Sequence, residues 1–543
     1  MKRFMINHKR LLIDLAVCFG VFLFVFLSYF IFKPLYFRSD NGDLGSTDGV
    51  IIRVYIFSLI IILVAVGVIL KIKKKLTVET LLFLIFLLGV IMQLNYMLIT
   101  PVTYRQHDMY GEAGHEAYAW TIYSTGKLPT LTDADGHLAY QFYHPPFNAS
   151  MQALFMHICK PFMSLFNTIS GGSYFKTDDM NSLYQSSEIL SCFYMNISIY
   201  FGIKIAHKLK ISNVFKVACA LFIALFPALI IQAGQLNNDP LCVMNCFIVL
   251  YFTVKWWENH SYFNAIMIGL FTGLAMFAKL SGALAALPAV VAFICVFIKS
   301  LINKKEQPSE ESKVEEVPQK DNKKKDILHI ILQAVIIMLI AFPIGLWFHI
   351  YAKVRFDQPF GFVFSNLTHE LYVGDYNFFE RFINIFDFND MTFMIWGHTF
   401  YNYNLPNFLI KSACFGEYSF ICADAPAVLM LVFNYIFVYT SLILMIVYFI
   451  KSGKENLEIK IIAGSLILSQ LLAQLYFNIK MPYGCTMDFR YIIPIILGFM
   501  ILDGLAFEKF SREKGASAVL SKVVLVSGGL FIASTFAFYL FAI

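Results

Sequence analysis

The sequence predicts an all-α, polytopic membrane protein with about thirteen transmembrane helices and two large extracytoplasmic loops. Of the 543 residues, 58% are hydrophobic and 14% are charged, and the mean hydropathy is +0.66. Soluble domains carry about 25% charged residues, so a soluble fold is excluded. Apolar runs of about 17–25 residues recur along the chain, as expected of helices that cross a bilayer. The 57 Phe and 29 Tyr residues suit a lipid-facing surface with aromatic belts.

The individual spans are predicted from these apolar runs. They lie at residues 11–32, 50–70, 76–99, 187–206, 213–233, 240–256, 262–278, 282–300, 327–351, 426–450, 459–478, 490–507 and 519–541. The first run exceeds the apolar core of a signal peptide and lacks a small-residue cleavage site, so it is predicted to be a retained helix. Basic residues cluster at 71–75, 204–210 and 509–514, and the positive-inside rule places these clusters in the cytoplasm. The N-terminus is then cytoplasmic and the C-terminus external.

The loops divide the chain into modules. The segment 301–326 is rich in Glu and Lys and has the composition of a disordered cytoplasmic linker. The expected parts are two extra N-terminal helices (1–75), a transmembrane module (76–300) with a first outer loop (101–186), the linker, and a C-terminal module (327–543) with a second outer loop (352–425).

The first outer loop begins with a dense group of ionisable residues. Directly after a span, residues 104–116 read YRQHDMYGEAGHE. Ionisable groups at a membrane rim are costly to desolvate, so they usually bind or react with something. If residues 106–123 are helical, Asp108, Glu112 and His115 share one face. The alternative interpretation is an ordinary solvated polar face.

The same loop is open to two kinds of chemistry. His107 stands beside Asp108 and can orient that carboxylate or change its proton affinity. The loop also offers ligands for a divalent metal, although it lacks the HExxH signature of zinc enzymes. The candidate ligands are Asp108, Glu112, His115 and Glu116, with His137 or His144 completing the set. No cofactor is therefore certain, and a divalent metal stays open.

Four later motifs place polar residues at predicted outer ends of spans. In YHPP, paired prolines stiffen the backbone around His144, either for a site or for an aromatic corner on the membrane. In NNDP, Asp239 either caps a helix or faces an external site. In AKLSG, Lys279 either snorkels to the headgroups or binds a phosphate. In DFRY, Arg490 either pairs with Asp488 or binds a phosphate or carboxylate.

The second outer loop adds weaker signals. It contains Trp396-Gly397-His398, Lys411 and aromatic residues such as Tyr401, Tyr403 and Phe408, which either stack on a sugar or lie along the interface. The ten cysteines show no CxxC metal site and no disulfide framework. Cys414 and Cys422 share this loop and are candidates for a pair.

Together these motifs resemble the glycosyltransferase C superfamily, membrane enzymes that use polyprenyl-phosphate sugars. The chain is most similar to the protein O-mannosyltransferase and lipid A aminoarabinose transferase branch. The matching parts are His107-Asp108 after an early span, YHPP, NND, AKLSG around Lys279 and DFRY around Arg490. The resemblance covers roughly residues 76–300 plus 480–500, so the first two helices are an extension.

The resemblance implies an inverting sugar transfer on the outer face. Asp108, aided by His107, would act as general base on an acceptor hydroxyl or amine, and Lys279 and Arg490 would bind the donor phosphate. Members of the branch commonly carry an Asp-Glu pair where His107 precedes Asp108 here, so no second carboxylate is assigned. Residues that support the site or the acceptor side would be Glu112, His115, Glu116, His144 and Asp239.

The implied partners are a polyprenyl-phosphate-linked sugar, a protein, lipid or glycan acceptor of the cell envelope, and membrane lipids, with no nucleic acid. The many Lys, Ile, Asn and Phe residues are typical of an AT-rich bacterial genome, which favours a bacterial plasma membrane and an undecaprenyl carrier. Rival interpretations are a lipid or solute transporter or flippase, an oligosaccharide polymerase or ligase, and an inactive scaffold. A transporter would need ionisable groups inside its spans. The sequence shows Asp14 and little else there, so surface chemistry is favoured.

Overall fold

The fold is all-α. The computed structural model describes residues 2–38, 46–100, 114–130, 142–172, 175–302, 319–362, 372–386, 403–416 and 424–542. The first ten α-helices are α1 (Lys2–Arg38), α2 (Thr47–Ile72), α3 (Val78–Ile99), α4 (His115–Thr125), α5 (Phe147–Ser170), α6 (Met180–Gln185), α7 (Glu188–Lys208), α8 (Asn213–Ala224), α9 (Pro227–Gln232) and α10 (Asp239–Glu258). The others are α11 (Tyr262–Ala278), α12 (Leu287–Ile302), α13 (Gln319–Phe356), α14 (Phe378–Phe382), α15 (Leu405–Phe415), α16 (Asp424–Ser452), α17 (Leu457–Lys480), α18 (Ile495–Phe510) and α19 (Ala516–Ala537). Within these ranges the structure contains no β-strand, only an isolated bridge between Tyr372 and Tyr483.

The predicted spans are confirmed as apolar helices. In the described part of the chain, ten helices are long and apolar enough to cross a membrane. A bent pair, Gly484–Ile492 followed by Ile495–Phe510, can form an eleventh span. The two remaining predicted spans contain the shorter apolar helices α8 and α11. The molecule is therefore a multi-pass membrane protein, as the apolar runs indicated.

Close helix packing holds the part of the bundle that carries the site. α11 and α13 approach so closely that a Cβ atom on Gly273 would lie 2.8 Å from the Cβ atom of Ile344. A Cβ atom on Gly345 would likewise lie 2.6 Å from the Cβ atom of Met276. Small residues permit this approach in membrane bundles, where packing drives helix association. The C-terminal end of α11, which leads into Lys279, is thereby fixed against α13.

The structure corrects two predicted boundaries. A continuous helix over 106–123 is wrong, because Gly114 has an extended backbone (ψ −178°) and α4 begins at His115. Asp108 and Glu112, the other two residues of the expected shared face, lie outside the described residues. The linker is also shorter than predicted, because α12 continues to Ile302 and α13 begins at Gln319.

The first outer loop contains a long helix of its own. α5 packs Phe155 and Phe162 against Phe26 of α1, with ring centroids 6.3 and 5.1 Å apart. Beside this contact α5 exposes a stripe of apolar side chains, Leu154, Ile158, Leu165 and Ile169, the last by 77%. An amphipathic helix of this kind suits a position in the membrane interface.

The helices that can span the membrane contain more buried charge than the sequence suggested. Lys33 of α1 and Glu188 of α7 form an ion pair with both side chains fully buried. Asp503 of α18 is also buried and accepts a hydrogen bond from the Ser441 hydroxyl. The expectation that the spans hold little beyond Asp14 is wrong, because Glu188 and Asp503 lie within the predicted spans themselves, and α1 continues past the first apolar run to include Lys33.

Candidate active site

Three breaks in the helices bring three charged residues together. Asp239 opens α10, where Pro240 takes a first-turn position and so needs no hydrogen-bond partner for its nitrogen. Lys279 has an extended backbone (φ −159°, ψ 128°) between α11 and the 3-10 helix Leu280–Ala286. Arg490 lies in a second 3-10 helix, Phe489–Ile492. These residues are far apart in sequence, and the breaks place them at one point of the bundle.

The three side chains form one charge cluster. The Lys279 ammonium pairs with one carboxylate oxygen of Asp239, and Nε of Arg490 lies 3.6 Å from the other. The Tyr491 ring receives both cations, with Lys279 Nζ 4.3 Å and Arg490 Cζ 4.8 Å from its centroid. Lys279 is 16% exposed, and Asp239 and Arg490 are each 6% exposed. The cluster, Asp239, Lys279 and Arg490, carries a formal charge of +1 from these groups, and neither cation is a merely snorkelling side chain.

The alternative pairing of Arg490 with Asp488 is not the arrangement found. Asp488 instead accepts a hydrogen bond from the backbone N–H of Arg490 at 2.8 Å, which starts the 3-10 helix. The Arg490 guanidinium donates to the hydroxyl of Tyr491 at 2.8 Å. Asp488 thus fixes the backbone, which leaves the guanidinium directed at Asp239 and Tyr491.

Asparagine side chains fix the segment before α10. The Asn237 side chain accepts from the backbone N–H of Asp239 at 2.9 Å. Asn238 donates to the carbonyl of Ala278 at 3.1 Å, directly before Lys279. Asn148 of α5 donates to the Asn237 carbonyl at 3.0 Å. These bonds tie the Asp239 and Lys279 breaks to each other and to the first outer loop.

A cavity of about 370 Å³ opens beside the cluster. Lys279 and Tyr491 form one side of it. The other polar groups that line it are Tyr143, His144, Ser281, His349 and Gln474, and its apolar walls include Leu280, Leu284, Phe362, Phe477 and Ile492. An apolar cavity with a few convergent polar groups is the usual form of a small-molecule or lipid site.

His144 connects this cavity to the first outer loop. Its carbonyl accepts from the hydroxyl of Tyr118 at 3.1 Å, and its ring stacks on that of His115 at 5.9 Å between centroids. Burial lowers the pKa of His144 well below its usual range, and the neighbouring His115 and Lys279 lower it further. His144 is therefore a neutral imidazole at pH 7, able to donate and to accept a hydrogen bond.

Glu116 lies on the far side of α4 from the solvent and is 6% exposed. Burial raises the pKa of its carboxyl, and the charge of Asp179 raises it further. One of its oxygens, Oε1, has no hydrogen-bond partner in the described structure. Glu116 faces α6, whereas His115 faces His144 beside the cavity. The two adjacent residues, both predicted to support the site, therefore lie in different environments.

The remaining predicted residues lie outside the described residues. They are His107, Asp108 and Glu112 of the first loop, His137, and in the second loop Trp396, His398, Tyr401 and Cys422. Within the described ranges, no three His, Cys, Asp or Glu residues come close enough to hold a metal ion. Tyr403 stacks on Tyr376 with centroids 3.9 Å apart, and Lys411 is buried in α15.

Two cavity residues were missed by the sequence analysis. His349 is 6% exposed and neither of its ring nitrogens has a hydrogen-bond partner in the described structure. Gln474 donates to the carbonyl of Thr486 at 2.6 Å. Gln474 belongs to a row of buried amide side chains on α17, with Gln470 and Asn478, spaced four residues apart. Amides at this helical spacing within a predicted span indicate a buried polar face, and this pattern could have identified Gln474 from the sequence.

No protein-family model matches the chain, and no curated protein matches it. Among solved structures, the chain is similar to ArnT from Cupriavidus metallidurans bound to undecaprenyl phosphate. The two sequences are 14% identical, the similarity covers 84% of this chain and 75% of the ArnT chain, and the TM-score is 0.41. This similarity is too distant to assign an activity or a residue role.

Proposed function

We propose that the chain is a membrane glycosyltransferase that moves a sugar from a polyprenyl-phosphate donor to an acceptor hydroxyl or amine. The observation that carries the proposal is the cluster of Asp239, Lys279 and Arg490 beside a largely apolar cavity. Two cations at a helix-break junction suit a phosphate, and the apolar walls suit the first units of a prenyl chain. The ArnT structure named above holds undecaprenyl phosphate, a ligand of this chemical class.

The reaction places different demands on the two halves of the site. The acceptor oxygen or nitrogen forms a bond to the anomeric carbon while the bond from that carbon to the phosphate oxygen breaks. The acceptor proton passes to a carboxylate, and the electron pair leaves with the phosphate. Attack opposite to the leaving group inverts the anomeric carbon. The site therefore needs a base on one side and fixed cations on the other.

The cations are Lys279 and Arg490, and Asp108 is proposed as the base. α3 ends at Ile99 and α4 begins at His115, so the segment carrying Asp108 is attached at both ends to described helices. Its second attachment, His115, stacks on His144, which lines the cavity. The base-bearing segment thus ends next to the cavity that contains Lys279. The positive-inside pattern of the sequence supports a position of this face outside the cytoplasm.

The test uses the full chain in lipid nanodiscs with a panel of undecaprenyl-phosphate hexoses and pentoses. Release of undecaprenyl phosphate is measured with protein, lipid and glycan acceptor fractions from a bacterial cell envelope. Asp108→Asn is expected to abolish release while folding and undecaprenyl phosphate binding persist. Asp178→Asn, at an exposed carboxylate paired with Lys160, is the matched control and should keep full activity. Full activity in Asp108→Asn contradicts the base assignment, and no release from any donor by the unaltered chain contradicts the function.

A transporter or flippase is the second candidate, because the spanning helices bury ionisable residues. Asp503 lines an apolar cavity of about 170 Å³, together with Cys219 and Phe222, within the membrane part of the bundle. Ionisable residues in such positions often mark transport pathways. Movement of a fluorescent undecaprenyl phosphate across a proteoliposome bilayer, without sugar release and with dependence on Asp503, would favour this candidate.

A further inference from the structure

Lys33 lies in α1, one of the two helices that precede the motif-bearing module, and its side chain is fully buried. Its ammonium lies 2.9 Å from Oε2 of Glu188 on α7. Removing two charges from water costs several kcal/mol per ion, roughly, unless the geometry is good and further hydrogen bonds satisfy the remaining protons. The remaining protons of the Lys33 ammonium therefore need hydrogen-bond acceptors of their own.

The further hydrogen bonds of Lys33 go to a third helix. Its ammonium donates to the carbonyl of Met97 at 2.6 Å and to the carbonyl of Thr100 at 2.5 Å. The last carbonyls of a helix have no partner within the helix and carry its negative dipole end, so a cation there is favourable. α3 ends at Ile99, and Lys33 thus fixes the point where α3 ends.

The Thr100 side chain completes this arrangement. Its hydroxyl donates to the carbonyl of Tyr96 at 2.6 Å. Asn95, one turn earlier, donates to the carbonyl of Tyr539 at 2.9 Å. The end of α3 is therefore fixed by groups from α1, from the C-terminal part of the chain and from its own last turn. Eight residues after Thr100 the sequence reaches Asp108.

We infer that Lys33 is a positioning residue for the segment that follows α3, and that it acts on turnover by fixing where this segment leaves the membrane. The two N-terminal helices would then be part of the catalytic unit, although the sequence motifs begin only after them. The effect of Lys33 on turnover rests on the proposed function, whereas its effect on the position of the segment after α3 does not. A misplacement of about 1 Å at a reacting group can cost on the order of 100-fold in rate.

The experiment compares three forms of the full chain in lipid nanodiscs. Lys33→Met with Glu188→Met removes both charges together, so that no unpaired charge stays buried. Glu188→Gln keeps the Lys33 ammonium and its bonds to the two carbonyls. Lys204→Met with Asp14→Asn is the matched control, because this pair, 2.5 Å apart, also joins α1 to α7 but lies far from the end of α3.

Two readouts separate the inference from the proposed function. Amide hydrogen exchange of residues 96–113 is expected to be about tenfold faster or more in the Lys33→Met, Glu188→Met form and unchanged in the Lys204→Met, Asp14→Asn control. Glu188→Gln removes the counterion but keeps the bonds of the Lys33 ammonium to the two carbonyls, so its increase should be smaller than that of the double methionine form. For sugar release, kcat should fall about 100-fold while KM and the affinity for undecaprenyl phosphate stay within about threefold. If no form shows sugar release, the proposed function fails and the exchange result still decides the structural inference.

Unchanged exchange in a folded Lys33→Met, Glu188→Met protein overturns the inference, and so does an equal increase in the Lys204 and Asp14 control. An unchanged kcat with faster exchange overturns the catalytic consequence. If the double methionine form does not fold, Lys33→Gln with Glu188→Gln replaces it. The Gln amide reaches about one bond less far than the ammonium, so the same increase in exchange is expected.

Discussion

Replacing Lys279 with Met tests the phosphate half of the site most directly. Met keeps an unbranched side chain of similar length and removes the ammonium that now pairs with Asp239. The formal charge of the cluster falls from +1 to 0, because Arg490 and Asp239 remain. The change leaves the helix break itself intact, since the backbone of Lys279 is fixed by its N–H bond to the Ala275 carbonyl at 2.9 Å.

The expected loss follows from the burial of the group. Hydrogen bonds to charged groups contribute about 1.5–3 kcal/mol. At about 1.4 kcal/mol for each factor of ten, the dissociation constant for undecaprenyl phosphate should rise about 10- to 100-fold. Lys279 is 16% exposed, so salt should screen this contribution only weakly.

The assay is a displacement titration with the full chain in nanodiscs, using undecaprenyl phosphate and undecaprenol in parallel. The unaltered chain should prefer the phosphate, and Lys279→Met should lose most of that preference while its affinity for the alcohol persists. Lys299→Met is the control, because Lys299 pairs with Glu458 at a different place on the bundle. A folded Lys279→Met protein that binds undecaprenyl phosphate within twofold of the unaltered chain would refute the phosphate assignment.

Three further predictions concern protonation, packing and the rival function. The pKa of His144 is lowered in the folded state, so folding disfavours its protonated form and stability should fall as pH drops below about 6.5. The thermal unfolding temperature should therefore be lower at pH 5.5 than at pH 7.5, and His144→Phe should reduce this difference. A Cβ atom on Gly282 would lie 2.7 Å from the backbone carbonyl of Ala275. Gly282→Ala should therefore lower the free energy of unfolding by about 1–3 kcal/mol and weaken phosphate binding. Gly529 has open space around it, so Gly529→Ala should change neither quantity. Asp503→Asn should leave sugar release within about threefold, because Asp503 lines a different cavity. Movement of undecaprenyl phosphate across the bilayer that Asp503→Asn abolishes, in a chain that releases no sugar, would instead favour a transporter.

The spans and the charge cluster could be predicted from the sequence for a simple physical reason. A bilayer requires an apolar run of a certain length to span it, so each transmembrane helix can be predicted from its own run of residues. Asp239, Lys279 and Arg490 each stood at a predicted outer end of a span, where a charge needs a partner. Their common side of the membrane made their meeting an expectation, and the structure confirms that they meet.

The other features depend on partners that a single run does not contain. Lys33 looked like a residue flanking the first apolar run, but α1 continues to Arg38 and buries it against Glu188. His349 stood in an apolar run without a motif, and only the approach of α11 to α13 brings it to the cavity. The helix over 106–123 that would give Asp108, Glu112 and His115 a common face was considered on spacing alone, and the extended backbone of Gly114 interrupts it.

For the proposed sugar transfer, the carboxylate of Asp239 accounts for a site that binds the donor phosphate and still favours its departure from the sugar. Two buried cations without a counterion would be costly in the empty site, and Asp239 offsets one of them. The formal charge of +1 that these three groups carry is opposite to that of a donor phosphodiester, which carries one negative charge. Bond cleavage converts it to a monoester with about −1.5 to −2 charges at pH 7. The interaction with the cluster therefore strengthens as the bond breaks, and only interactions that strengthen toward the transition state accelerate the reaction. The product phosphate, with its larger negative charge, is then held more tightly than the donor, so release of the polyprenyl phosphate is the step expected to limit turnover.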